Sequence, residues 1–234
     1  MGCKALALGA LLVTPLLADA ALVDRGGGLI YDTTLNITWL QDANYAKTSG
    51  YDADGRMNFG SAQLWARELN YYGITGWRLP AVAPINGSTF NTAVSNNGTT
   101  DVGFGITSRN SEMAYMYHVN LGNLGRCTPN AGDPTSCDLQ PGFGLVNRHP
   151  FTNLQPFMYW TGTWYNEEAR DAWFFDMEIG YQYHGGADMD PYAWAVHDGD
   201  VAPPVPLPAA AWLLLSGLGG LGALGRRRKK PGAD

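Results

Sequence analysis

Gly60-Ser61-Ala62-Gln63-Leu64-Trp65-Ala66-Arg67-Glu68-Leu69-Asn70-Tyr71-Tyr72, then Gly73-Ile74, then Thr75-Gly76-Trp77-Arg78-Leu79-Pro80, is the stretch on which the fold turns. Ala62, Trp65, Ala66, Leu69 and Tyr72 recur at the 3.6-residue spacing of an α-helix, so residues 60–72 read as one amphipathic helix that Gly73 ends. Residues 76–80 read as a short strand, which Pro80 stops because it has no N–H to give to a ladder.

Working outward, a second helix is expected over residues 111–121, where Met113, Met116, Tyr117 and Leu121 form a stripe capped by Asn110 or Ser111 and stopped by Gly122. Residues 29–31 and 37–41 read as strands around a turn at 33–36. Three aromatic strands follow at 158–164, 172–177 and 193–197. Residues 151–194 hold thirteen of the 28 aromatics, which places the densest part of the core there. The Gly-, Ser-, Thr- and Asn-rich residues 81–110 and the residues 122–156 read as long loops. An early helix, long loops and late antiparallel strands make a small α+β domain.

The two ends read as addresses. Residues 1–20 carry one cation, Lys4, then an uncharged apolar run closing in Ala18-Asp19-Ala20, the pattern of a signal peptide cleaved after Ala20. Residues 201–208 (VAPPVPLP) are a Pro-rich linker. Residues 209–230 complete a tail in which nineteen uncharged residues, 207–225, precede Arg226, Arg227, Arg228, Lys229 and Lys230. As a helix the uncharged run is about 28 Å long, close to the hydrocarbon thickness of a bilayer. The expectation is a transmembrane helix with its basic end in the cytoplasm and the body outside the inner membrane.

The 234 residues carry a formal charge of −6, but residues 21–205 alone have nine basic and nineteen acidic side chains, a net of −10. Such a body repels nucleic-acid phosphates, and no nucleic-acid partner is expected. Charged residues are 15% of the chain, and its eight Trp, twelve Tyr and eight Phe exclude a disordered protein. In an exported body Cys127 and Cys137 are expected to form a disulfide; the rival, a zinc site, lacks a Cys-x-x-Cys pair or a nearby His.

Two resemblances follow from these residues. Val205-Pro206-Leu207-Pro208-Ala209, the apolar span and the Arg226-Arg227-Arg228 cluster resemble the PEP-CTERM sorting signals of Gram-negative bacteria, with Pro-Leu-Pro in place of Pro-Glu-Pro. The resemblance implies an exosortase-type protease as partner and delivery to the cell surface or extracellular matrix. The body resembles the Lcl C-terminal domain family, related to C-type lectin-like folds. It does so through Gly27–Asp32 with Leu35–Leu40, through residues 60–80, through Tyr159-Trp160-Thr161-Gly162-Thr163 and through Ala172-Trp173-Phe174-Phe175-Asp176. That resemblance spans about residues 26–199 and implies a C-type lectin-like domain over 21–200.

Candidate chemistry is sparse. Asp52-Ala53-Asp54-Gly55 and Asp188-Met189-Asp190 are acidic loop tips able to hold calcium, or plain Asp/Gly turns. Trp160, Trp164, Tyr165, Tyr181 and Tyr183 offer ring faces to a sugar, or are core. Trp77-Arg78 reads as a ligand clamp or as a structural ion pair, and Glu167-Glu168 as a hydrolytic carboxylate pair or a solvated tip. His118, His149, His184 and His197 show no His-Glu-x-x-His spacing, and no Gly-x-Ser-x-Gly elbow occurs. The expectation is a non-enzymatic, surface-sorted module that binds carbohydrate or matrix protein. A secreted polysaccharide hydrolase and a purely structural matrix component are the alternatives.

Overall fold

The computed structural model describes residues 22–130 and 132–203. The expected signal peptide (1–20), the expected sorting tail (209–230) and linker residues 204–208 lie outside the described residues. Among the described residues no helix is long and apolar enough to cross a membrane.

Two five-stranded sheets and one hairpin make a mixed α+β body. The first sheet is antiparallel throughout. Strands β1 (Leu22–Gly26), β2 (Leu29–Asp32), β3 (Ile37–Leu40), β4 (Trp77–Arg78) and β12 (Val196–Asp198) lie in the order β1-β2-β3-β12-β4. The second consists of β5 (Val94–Ser95), β6 (Val102–Phe104), β9 (Met158–Asn166), β10 (Asp171–Asp176) and β11 (Tyr181–Gly186), ordered β5-β6-β11-β10-β9. Its β5–β6 pair is parallel and its other pairs are antiparallel. Strands β7 (Cys127–Asn130) and β8 (Asp133–Leu139) form the hairpin. The helices are α1 (Tyr45–Thr48), α2 (Phe59–Glu68) and α3 (Glu112–Tyr115), the last running into a π-helical turn over Met116–Asn120.

The expected β2–β3 hairpin forms because Asp32 Oδ1 accepts the N–H groups of Thr34 and Leu35, closing the turn from within. The expected first helix forms but starts at Phe59, capped by Asn58, and stops at Glu68 rather than at Tyr72. Leu69 is already extended, and the chain reverses at Tyr72 and Gly73, both at positive φ, with Tyr71 and Ile74 exchanging backbone bonds. The second expected helix is split. Its stripe of Met113, Met116 and Tyr117 is buried as anticipated, but the Leu121 N–H bonds to the Met116 carbonyl five residues back, widening the last turn to π.

Residues 81–110 and 122–156 are not loops throughout. The first contains β5 and β6, and the second contains β7 and β8, joined by the Cys127–Cys137 disulfide. Neither pair shows an alternating apolar pattern. The hairpin is held instead by the disulfide and by Asn96, whose side chain donates to the Thr135 and Ser136 carbonyls at 3.1 and 2.7 Å. Strand β11 also lacks the apolar pattern, because its inward residue is Gln182, which is fully buried and bonded to Ser111 and to the Asp101 carbonyl. Residues 193–195 pack into the core with a single backbone bond to β3, Leu40 N–H to the Ala195 carbonyl at 3.1 Å, so the last expected strand begins at Val196.

The core lies between the sheets. Trp194 touches Trp39 and Phe151 at ring distances of 4.5 and 4.8 Å, and its indole N–H reaches the Leu40 carbonyl at 2.7 Å. The ends of the domain are tied together: Arg25 pairs with Asp200, and Thr38 Oγ1 donates to the Gly199 carbonyl at 2.7 Å.

Candidate functional site

Three segments converge at one end of the second sheet. Strand β9 carries Trp164 to its end, and the β9–β10 turn supplies Glu167 and Arg170. The start of α2 supplies Asn58 and Gly60, and the segment after β11 supplies Ala187 and Asp188. Ala187 stitches them together. Its N–H donates to the Arg170 carbonyl at 2.7 Å, and its own carbonyl accepts the Phe59 N–H at 3.0 Å. The turn holds itself in place, since Asn166 Oδ1 accepts the Ala169 N–H and Glu167 O accepts the Arg170 N–H, with Arg170 at positive φ.

Between these segments lies a cleft of about 450 Å³. Trp164 is half-buried there, with its ring edge-on to Phe59 at 4.5 Å. Glu167, Arg170 and Asp188 are exposed at the rim. A partly exposed indole beside charged and amide groups offers one apolar face and several hydrogen-bond partners, the combination that fixes a polar ring with one apolar side.

The sequence-level candidates are distributed unevenly. Trp160 is fully buried and donates to the Met57 carbonyl, so it belongs to the core and has no face for a ligand. Trp164 is in the cleft. Tyr165 stacks on His184 at 3.6 Å, His184 in turn lies 4.7 Å from Tyr183, and Tyr183 is 5.8 Å from Tyr181, so these three tyrosines belong to one connected group of rings.

Asp52 and Asp54 spend oxygens on their own turn. Asp52 Oδ1 accepts the Asp54 and Gly55 N–H groups, and Asp54 Oδ1 accepts that of Arg56. Burial pushes the Asp52 carboxyl up, but the bonds from Gly55 and Asp54 outweigh it and hold its pKa below the usual carboxylate range. The loop does adjoin that of Asp188 and Asp190, but through a cation of the protein's own: Arg56 donates to the Asp190 carbonyl at 2.8 Å and lies over the Phe157 ring. Among the described residues no three His, Cys, Asp or Glu side chains stand together as a metal site.

Arg78 is an ion-pair centre. Its guanidinium makes two 2.8 Å bonds to Glu112 and two to Asp198 Oδ1, at 2.7 and 3.0 Å. Burial works against the charge, yet these carboxylates outweigh it and raise the pKa above the usual arginine range. The groove beside it, lined by Gln63, Arg67 and Thr163, therefore has its central cation already engaged. The histidines are dispersed. His118 bonds to the Asn123 and Gly180 carbonyls, His149 lines a separate cavity with Asp24 and Asn120, and His197 lies edge-on to Trp77.

Sequence reasoning missed Asn58, Gly60, Arg170 and Ala187. Asn58 had a legible signal, a capping residue just before an apolar helical stripe, whereas the others are gathered only by the Ala187 backbone bonds. No protein-family model, curated protein or solved structure matches the chain.

The expected disulfide is present and closes a separation of ten residues. Replacing both cysteines, Cys127→Ala with Cys137→Ala, is expected to lower stability by roughly 2–3 kcal/mol through loop-closure entropy. A urea midpoint measured on both forms checks this, and an unchanged midpoint contradicts it.

Proposed function

We propose that the protein is an exported, non-enzymatic binding module for extracellular polysaccharide, carried to the cell surface or matrix by its C-terminal sorting signal. The cleft around Trp164 is the observation that carries this reading. The indole takes the apolar face of a sugar ring, while Asn58, Glu167, Arg170 and Asp188 meet its hydroxyls. The resemblances to the Lcl C-terminal domain family and to PEP-CTERM tails support export and surface placement, with an exosortase-type protease and, before processing, the inner membrane as partners. The net charge of −10 disfavours anionic polymers, so the ligand class is neutral or amine-bearing polysaccharide.

This reading invokes no calcium; Oδ1 of Asp52 and Oδ1 of Asp54 each accept backbone N–H groups of their own turn. Glu167 and Glu168 sit exposed in one turn and act as polar contacts rather than as a hydrolytic pair.

Glycan-array binding of the purified protein, with and without EDTA, tests this. Retention of a neutral or amine-bearing polymer, unaffected by EDTA and without chain cleavage, is expected. Trp164→Ala is expected to weaken it at least tenfold, about 1.4 kcal/mol, with Trp164→Phe retaining most of it. Polymer cleavage would move the protein to the hydrolase class, and silence across the array would leave it a structural component.

A further inference from the structure

We infer that the cleft continues along β11 as a track of aromatic rings, which holds an extended polysaccharide chain rather than a single terminal sugar. This rests on the binding reading above and specifies its ligand.

Register puts the rings on one face. Trp164 pairs with Ala172 and Ala172 with Gly185; in the next row Trp160 pairs with Phe174 and Phe174 with Tyr183; in the third, Met158, Asp176, Tyr181 and Phe104 pair in turn. Directly paired residues project from the same side of a sheet, so Trp164, Tyr183 and Tyr181 share a face, with Phe104 buried at its end. Strand β6 pairs only with Tyr181 and Gln182, so among the described residues no strand lines the outer edge of β11 beyond Gln182. That free flank leaves Tyr183 40% exposed.

Between the rows of Trp164 and Tyr183, Gly185 has no side chain, and the Met189 sulfur lies 2.8 Å from where its Cβ would stand, so a thioether covers that position. The step from Tyr183 to Tyr181 is 5.8 Å, about the length of one sugar residue in a chain, and the buried Phe104 supports Tyr181 from below at 4.6 Å. The rings are also stiff. Tyr183 is backed edge-on by Phe174 at 6.1 Å and flanked by His184, which Tyr165 stacks against. Rings held in place lose little freedom on binding. Asp188, exposed at the rim of the cleft, accepts hydroxyl or ammonium hydrogens, which favours an uncharged or amine-bearing chain.

Titration calorimetry with the cellulose and chitosan oligosaccharide series, disaccharide to hexasaccharide, tests the track. In the series that binds, the hexasaccharide is expected to bind at least tenfold more tightly than the disaccharide. Tyr183→Ala should reduce hexasaccharide affinity to the disaccharide level and leave disaccharide binding unchanged, with Tyr183→Phe restoring it. Tyr181→Ala serves as a second variant should Tyr183→Ala melt early. Equal affinity for short and long chains, or a hexasaccharide indifferent to both substitutions, overturns the track and leaves the cleft standing. Absence of binding in both series overturns the track and the cleft reading together.

Discussion

Trp194→Ala is expected to destabilise the protein by about 4 kcal/mol, in the range typical of a buried aromatic truncated to alanine. Trp194 has no exposed surface and joins the two sheets. On one side it meets Trp39 of β3, and on the other Tyr159 of β9 at 6.1 Å, with Phe151 edge-on at 4.8 Å. Its N–H satisfies the Leu40 carbonyl, which the truncation leaves without that donor inside the core. A domain of this size has about 5–15 kcal/mol in all, so the variant should sit close to unfolding. Trp194→Phe keeps an aromatic ring but not the N–H and should lose about half as much. Urea unfolding of the three proteins measures this; a loss below about 1 kcal/mol for the alanine variant would mean that the sheets are joined elsewhere.

His118 should give the stability curve an acid limb. Burial pushes its pKa down to about 4, against the opposing hydrogen bonds of the ring to the Asn123 and Gly180 carbonyls. In the unfolded chain the imidazole titrates near its ordinary value of 6.5. Between the two values the unfolded state binds the proton and the folded state does not, so stability falls as pH drops from about 6.5 to about 4. The full loss is roughly 3 kcal/mol, most of it reached by the lower end of that window. Tyr117 and Phe175 pack against the ring at 4.8 and 6.0 Å and bring no compensating charge. Asp176, whose carboxyl burial raises, tilts the curve slightly the other way. His118→Phe removes the group, and its stability should be flatter than the wild type's over this window. Parallel slopes for the two proteins would show that the imidazole is not buried in its neutral form.

Helix α2 and the aromatic strands β9 and β10 are legible in the sequence because their stabilisation is local in pattern. Ala62, Trp65 and Ala66 repeat at helical spacing, and 158–164 and 172–177 are runs of ring-bearing residues. The elements that escape are held by long-range bonds. Asn96 positions the β7–β8 hairpin from forty residues away, and Gln182 replaces an apolar anchor in β11 with buried hydrogen bonds to Ser111 and Asp101. The helix end was overestimated because Tyr72 keeps the apolar spacing yet sits at positive φ in a reversal that spacing does not encode.

The site divides in the same way. Trp164 and Asp188 are visible as an aromatic and an acidic residue, but their meeting depends on the Ala187 backbone accepting from Phe59 and donating to Arg170. Trp160, four residues before Trp164 and on the same side of β9, is driven inward because Phe59 and Phe174 close over it at 5.3 and 6.3 Å. Trp164 lies near the strand end, where Phe59 is the one aromatic ring among the described residues that packs on it, and so keeps an exposed face.

The central claim is that the Trp164 cleft binds polysaccharide without cleaving it. A two-dimensional NMR titration of the isotope-labelled protein with cellulose and chitosan hexasaccharides tests it most directly. The predicted result is a set of shift changes confined to the Trp164 indole, Gly60, Arg170, Ala187 and Asp188, extending to Tyr183 and Tyr181, with both oligosaccharides intact at the end. Shift changes centred instead on the Arg78 groove, their absence with both oligosaccharides, or the appearance of shorter sugars would contradict it.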